Sequence, residues 1–129
     1  MKVITKEPGK APEIRELQRK DIWDYLGGCM ETVGLYKDFV IICNDDFLFN
    51  GSEYNVTLNH GNNYTTAFYG NIFICKIVEL PSHERDLGGL TDTEATSMLE
   101  YLNDCYKIDK EFKDIVDFTK RHKFDVFIV

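Results

Sequence analysis

Leu26-Gly27-Gly28-Cys29-Met30-Glu31-Thr32-Val33 runs on through a short reversal into Phe39-Val40-Ile41-Ile42-Cys43-Asn44-Asp45-Asp46, and this stretch decides the fold. Paired glycines supply the left-handed backbone that stops a helix. The two runs after them are strand-like, the second more apolar than the first. The reversal falls at Leu35 to Asp38, and the second strand closes in acid. A helix feeding an antiparallel hairpin predicts a mixed α+β domain.

Toward the N-terminus, residues 20–26 read as a short helix with Ile22, Trp23 and Leu26 on one face and Asp21 near its start. The sole tryptophan, Trp23, is expected to anchor that helix on the sheet. Residues 2–17 form a first hairpin around Pro8 to Pro12, with Pro-Gly as the turn signal. Its second strand, Pro12 to Leu17, alternates polar and apolar as a half-buried strand does.

Toward the C-terminus, Phe47 to Tyr69 carries two turn signals, Asn50-Gly51 and His60-Gly61-Asn62-Asn63. Tyr54 to Leu58 and Tyr64 to Phe68 are either two short strands or a polar loop folded over the sheet. Ile72 to Val78 is the clearest strand, apolar enough to lie centrally. Pro81 to Gly89 reads as a connector. Thr91-Asp92-Thr93-Glu94 is a capping box that starts a helix through about Tyr106. A break near Lys107-Ile108-Asp109 leads into a second helix, about Lys110 to His122, with Phe112, Ile115, Val116 and Thr119 inward. Phe124 to Val129 reads as a final short strand.

The chain has 129 residues, enough for one domain with its own core, and 43% hydrophobic against 29% charged residues argues against disorder. Nine Phe, seven Tyr and one Trp suggest an aromatic core. No run is long and apolar enough to span a membrane, and the N-terminus lacks an apolar signal region, so a cytoplasmic location is expected. Net charge is −7, from 15 basic and 22 acidic residues spread along the chain. That balance disfavours direct nucleic-acid binding and leaves a basic partner open.

Cys29, Cys43, Cys75 and Cys105 are widely spaced in apolar segments, without the close Cys or His pair a metal site shows. They read as buried reduced thiols; no metal and no cofactor is expected. His60, His83 and His122 lie outside any strand-to-helix elbow, so no catalytic residue is assigned. Two enzymatic readings stay open: Asp45 and Asp46 after a strand, and a Cys–His pair such as Cys75 with His83. Against the first, Asn44-Asp45-Asp46 also suits a turn held by side-chain-to-backbone bonds. Carboxylates offer a different chemistry. Glu31, Asp38, Asp45, Asp46, Glu53, Glu100, Asp104 and Asp114 are candidate binding residues, able to face a basic surface where phosphates would otherwise sit.

Glu7-Pro8-Gly9-Lys10 with Pro12 to Glu16, the Gly27-Gly28 to Val33 run, Ile41 to Asp46, Asn50-Gly51, Gly70 to Ile74 and Leu90 to Glu94 together resemble one family. It is a small uncharacterised domain-of-unknown-function family of bacteria, phages and mobile elements. The resemblance covers residues 1–105, with 106–129 as an extension. Cys29 stands where the family has an aromatic residue, and Asn55 to Phe68 departs from its spacing. Family members sit beside antirestriction-type proteins, which implies an accessory, counter-defence role.

The expectation is therefore a single α+β domain over residues 1–129. It has a mixed or antiparallel sheet of about five strands, a short helix, and two C-terminal helices on one face. In function it is a non-enzymatic phage or mobile-element protein that binds and inhibits a host defence protein, anti-CRISPR or antirestriction in type, through an acidic surface. The partner is a host protein with a basic, nucleic-acid-binding surface. The alternatives are a small enzyme using Asp45 and Asp46 or a Cys–His pair, and a self-associating module, with a homodimer as its simplest form.

Overall fold

The computed structural model describes residues 1–46, 51–60 and 64–121. Among the described residues eight strands and two α-helices follow in the order β1 (Lys2–Lys6), β2 (Glu13–Glu16), α1 (Ile22–Leu26), β3 (Met30–Tyr36), β4 (Phe39–Asn44), β5 (Tyr54–His60), β6 (Tyr64–Tyr69), β7 (Ile72–Glu79), β8 (Arg85–Gly88) and α2 (Asp92–Arg121). A single 3₁₀ turn, Arg19–Asp21, leads into α1.

Six strands form one antiparallel sheet in the order β2-β1-β7-β4-β3, with β8 continuing the line of β1 along β7. Lys76 fixes that geometry, because it pairs with Phe39 of β4 on one side and Gly88 of β8 on the other. The long apolar β7 is central, as its composition predicts. Among the described residues β5 and β6 pair only with each other. Of the two alternatives they are the strands and not a polar loop, and the hairpin packs over the sheet.

Strand alternation divides the core into two layers. Ile4, Ile41, Cys43, Ile72 and Ile74 face Val56, Leu58 and Phe68 of the hairpin and Ala95 and Leu102 of α2. Val3, Val40, Ile42, Phe73 and Cys75 face the opposite way, under Ile22 and Leu26 of α1. The short helix thus covers one face, while the β5–β6 hairpin and α2 cover the other.

Local chemistry sets the ends. Gly27 takes φ 75°, and the amides of Gly27 and Gly28 both donate to the Trp23 carbonyl, closing α1. Thr91 and Glu94 form the predicted capping box: the Glu94 amide donates to Thr91 Oγ1 at 3.2 Å and the Thr91 amide to Glu94 Oε1 at 2.8 Å. Glu94 Oε1 also receives Lys76 Nζ at 2.9 Å, which fastens the start of α2 to the central strand.

Several expectations are corrected. The C-terminal segment is one helix of 30 residues, not two, and it runs through Lys107-Ile108-Asp109 without a break. Nothing between Asp92 and Arg121 is glycine or proline, so no residue forces a stop. Phe112 is exposed rather than inward. Arg85 to Gly88, taken as connector, is strand β8. Trp23 is 60% exposed while its neighbours Ile22 and Leu26 are buried, so those two anchor α1 and the tryptophan does not. The strand β2 is exposed at all four positions instead of half-buried. Aromatics split: Phe68 and Phe73 are core, whereas Tyr36, Tyr54 and Phe112 face solvent. Cys29 is exposed and Cys105 half-buried; only Cys43 and Cys75 are buried thiols. The expected strand at Phe124 to Val129 lies outside the described residues.

Candidate functional site

Glu31, Asp45 and Asp46 lie toward one end of the β3–β4 ladder. Glu31 pairs in register with Cys43, and the Asp45 amide donates to the Cys29 carbonyl at 3.0 Å. Burial first, and then the charges of Glu31 and Asp45 nearby, push the Cys43 thiol up to about 12. The turn itself is held by Asn44. Its Nδ2 donates to the Leu26 carbonyl at 3.1 Å, and its Oδ1 accepts the Asp46 amide at 2.8 Å. Asn44 therefore does the capping, which leaves both aspartate side chains exposed.

The other predicted acids lie elsewhere. Asp38 sits in the turn at the far end of β4, a distance of about 20 Å for six extended residues. Glu53 precedes β5, where its carbonyl accepts the Gly70 amide at 2.7 Å. Glu100 and Asp104 are one helical turn apart on the solvent side of α2. Asp114 belongs to α2, and its side chain lies outside the described residues. Asp38, Glu53, Glu100 and Asp104 are exposed, and among the described residues none of these four forms an ion pair. Their counterparts are engaged: Glu7 with Arg15, Glu94 with Lys76, Asp86 with Arg19 and Asp92 with Lys2.

β3 is one edge of the sheet, opposite β2, with Met30 and Tyr36 exposed. Glu31 is an exposed charge on this strand, and the register shifts between Gly34 and Tyr36. A charge and a bulge are both devices that discourage edge-to-edge pairing.

The catalytic candidates do not assemble. Cys75 is fully buried, and desolvation pushes its thiol up to about 12. The exposed His83 instead lies 2.8 Å from Glu79 Oε1, and His60 Nε2 lies 2.6 Å from Thr66 Oγ1. Among the described residues no group of three His, Cys, Asp or Glu side chains is placed to hold a metal ion.

A different site emerges where α2 passes the start of β5, a cleft of about 750 Å³. At its base Lys6 is 2% exposed, and its Nζ donates to Asn55 Oδ1 at 2.8 Å and to the Glu7 carbonyl at 2.9 Å. The ammonium also sits 4.8 Å from the centre of the Tyr106 ring, a cation–π contact. Desolvation lowers the Lys6 pKa, while Asp109 and Glu7 oppose that shift. Asp109 Oδ2 accepts Tyr54 Oη at 2.8 Å and the Thr57 amide at 3.2 Å, which ties α2 to the hairpin. Lys110, Phe112 and Lys113 form the outer wall. Sequence reasoning missed this site. The one available signal was period two in β1, which puts Lys6 on the same face as buried Ile4.

The architecture is that of a small α+β domain, an open antiparallel sheet clad by helix on one face and by helix and hairpin on the other. The chain belongs to the family described as domain of unknown function DUF3846, which it matches over residues 1–103. The expected resemblance to such a family is met, and the match ends inside α2. No curated protein and no solved structure matches the chain. Among the described residues no helix is long and apolar enough to cross a membrane.

Proposed function

We propose that this protein works by binding rather than by catalysis. It is read as an accessory protein of phages or mobile elements, acting in the host cytoplasm. It would cover the basic, nucleic-acid-binding surface of a host defence nuclease of CRISPR or restriction type. The observation that supports this reading is the set of exposed carboxylates left without ion pairs, Glu31, Asp45 and Asp46 at one corner and Glu100 and Asp104 on α2. Carboxylates not spent on internal pairs remain available to a partner's Lys and Arg side chains. On a protein of net charge −7 they also speed encounter with a cationic surface.

The test is binding of the purified protein to a panel of restriction and CRISPR nucleases, with each nuclease's own DNA or RNA as competitor. Binding that weakens with salt and is displaced by nucleic acid supports the proposal. Binding to none of them, or binding that nucleic acid leaves untouched, contradicts it.

A further inference from the structure

The cleft beside Lys6 plays no part in the acidic surface, and its chemistry is opposite. Three ammonium groups, Lys6, Lys110 and Lys113, line it against one carboxylate, Asp109. The lining therefore carries 3 − 1 = +2 charges within a chain of net charge −7. Its walls are aromatic, from Tyr54, Tyr106 and Phe112, and its volume of about 750 Å³ is that of a small-molecule site.

The parts divide into a fixed base and a free rim. Lys6 is held by Asn55 and Glu7, and Asp109 by Tyr54 and Thr57, so the base is rigid and its buried charge cannot swing out to solvent. Lys110 and Lys113 lie three residues apart on one helix face, both exposed, and Phe112, 54% exposed, lines the same cleft. An exposed phenylalanine and two lysines lining one cleft suit a ligand with a flat apolar face and a negative group. A long lysine stem lets the ammonium follow that group.

We propose that this cleft binds a small planar aromatic anion of the nucleoside monophosphate class, its ring against Tyr106 and Phe112 and its phosphate held by Lys110 and Lys113. Phosphate is attracted by the net positive lining, and aromatic stacking holds bases without selecting among them. The ring supplies affinity that phosphate alone lacks. The site is independent of the carboxylates Glu31, Asp45 and Asp46.

Isothermal titration calorimetry of the full chain with the four common nucleoside monophosphates, the matching nucleosides and inorganic phosphate tests this. At least one monophosphate is expected to bind at least tenfold more tightly than its nucleoside and than phosphate. Phe112→Ala and the pair Lys110→Ala with Lys113→Ala should each weaken it about tenfold or more. These side chains are exposed, and circular dichroism checks that the variants fold. The carboxylate variants Asp45→Lys and Asp46→Lys should leave binding unchanged. No binding of any monophosphate overturns the proposal, as does equal affinity for inorganic phosphate or unchanged affinity in the two cleft variants.

Discussion

The ammonium of Lys6 donates to Asn55 Oδ1 at 2.8 Å, and Asn55 Nδ2 returns a bond to the Lys6 carbonyl at 2.7 Å. Both residues are buried, one on the main sheet and one on the hairpin that covers it. A second bond from Asn55 Nδ2 reaches the Gly70 carbonyl at 2.7 Å. One asparagine therefore serves a buried charge and two carbonyls at the seam between two sheets.

Asn55→Ala leaves that charge and those carbonyls short of partners, and should cost about 2–4 kcal/mol in urea unfolding. Lys6→Met removes the charge but keeps the packing of the stem, and should cost less. Because the two changes share one network, the double variant should be milder than the sum, with a coupling of about 1–3 kcal/mol. Additive losses would mean that the pair is not coupled.

Alkaline pH should destabilise the protein. The Cys43 and Cys75 thiols, ordinarily 9.0, are held by burial up to about 12, and the Tyr101 phenol likewise up to about 12. Between the unfolded and folded values the native state keeps protons that the unfolded state releases, so stability falls as pH rises above about 9. Each thiol contributes a slope of up to about 1.4 kcal/mol per pH unit in that window. Lys6 acts oppositely, since its lowered pKa makes stability rise with pH, but it is one group against several. Urea midpoints from pH 7 to 11 read the net sign, and Cys75→Ala should flatten the fall.

Gly28 has φ 157°, and a Cβ there would lie 3.0 Å from Asn44 Nδ2, the atom that bonds Leu26. Gly28→Ala should cost about 1–2 kcal/mol, and Asn44→Ala about 1–3 kcal/mol through the lost Leu26 and Asp46 bonds. In contrast Asp45→Asn and Asp46→Asn should leave stability within about 0.5 kcal/mol, as exposed substitutions do. Thermal melts of the four variants separate the residue that holds the turn from those that only follow it.

Trp23 offers a check on the orientation of α1. With its side chain 60% exposed, its fluorescence should be red-shifted in the native state and change little on unfolding, and acrylamide should quench it readily. A blue-shifted, protected tryptophan would place it against the sheet instead.

The sequence was most legible where local chemistry and burial agree. Pro8-Gly9, the apolar runs of β4 and β7, Gly27 and the Thr91–Glu94 box each specify an element without help from distant residues. The extra helix break failed for a physical reason. Apolar periodicity reports contact with a body, and past Tyr106 it fades because Ile108 and Phe112 are exposed, not because the backbone stops. Strand β8 has a single buried apolar residue, Leu87, and exists through its ladder with β7. Five residues of α1 are too few to decide which way Trp23 turns. The acids were legible as exposed charges, yet only the fold shows that Glu31 shares an end of the β3–β4 ladder with Asp45 and Asp46 while Asp38 lies a strand's length away. The cleft joins residues 6, 54–57 and 106–113, and only docking of the hairpin and α2 on the sheet brings them together.

The most direct measurement is cleavage of DNA by a restriction or CRISPR nuclease that binds the protein, titrated with wild type and with the Glu31→Lys, Asp45→Lys, Asp46→Lys variant. Wild type is expected to suppress cleavage in proportion to its occupancy, and the charge-reversed variant, folded as judged by circular dichroism, to lose at least tenfold in potency. Cleavage unaffected by the bound wild type, or equal potency of the variant, would contradict the proposed function.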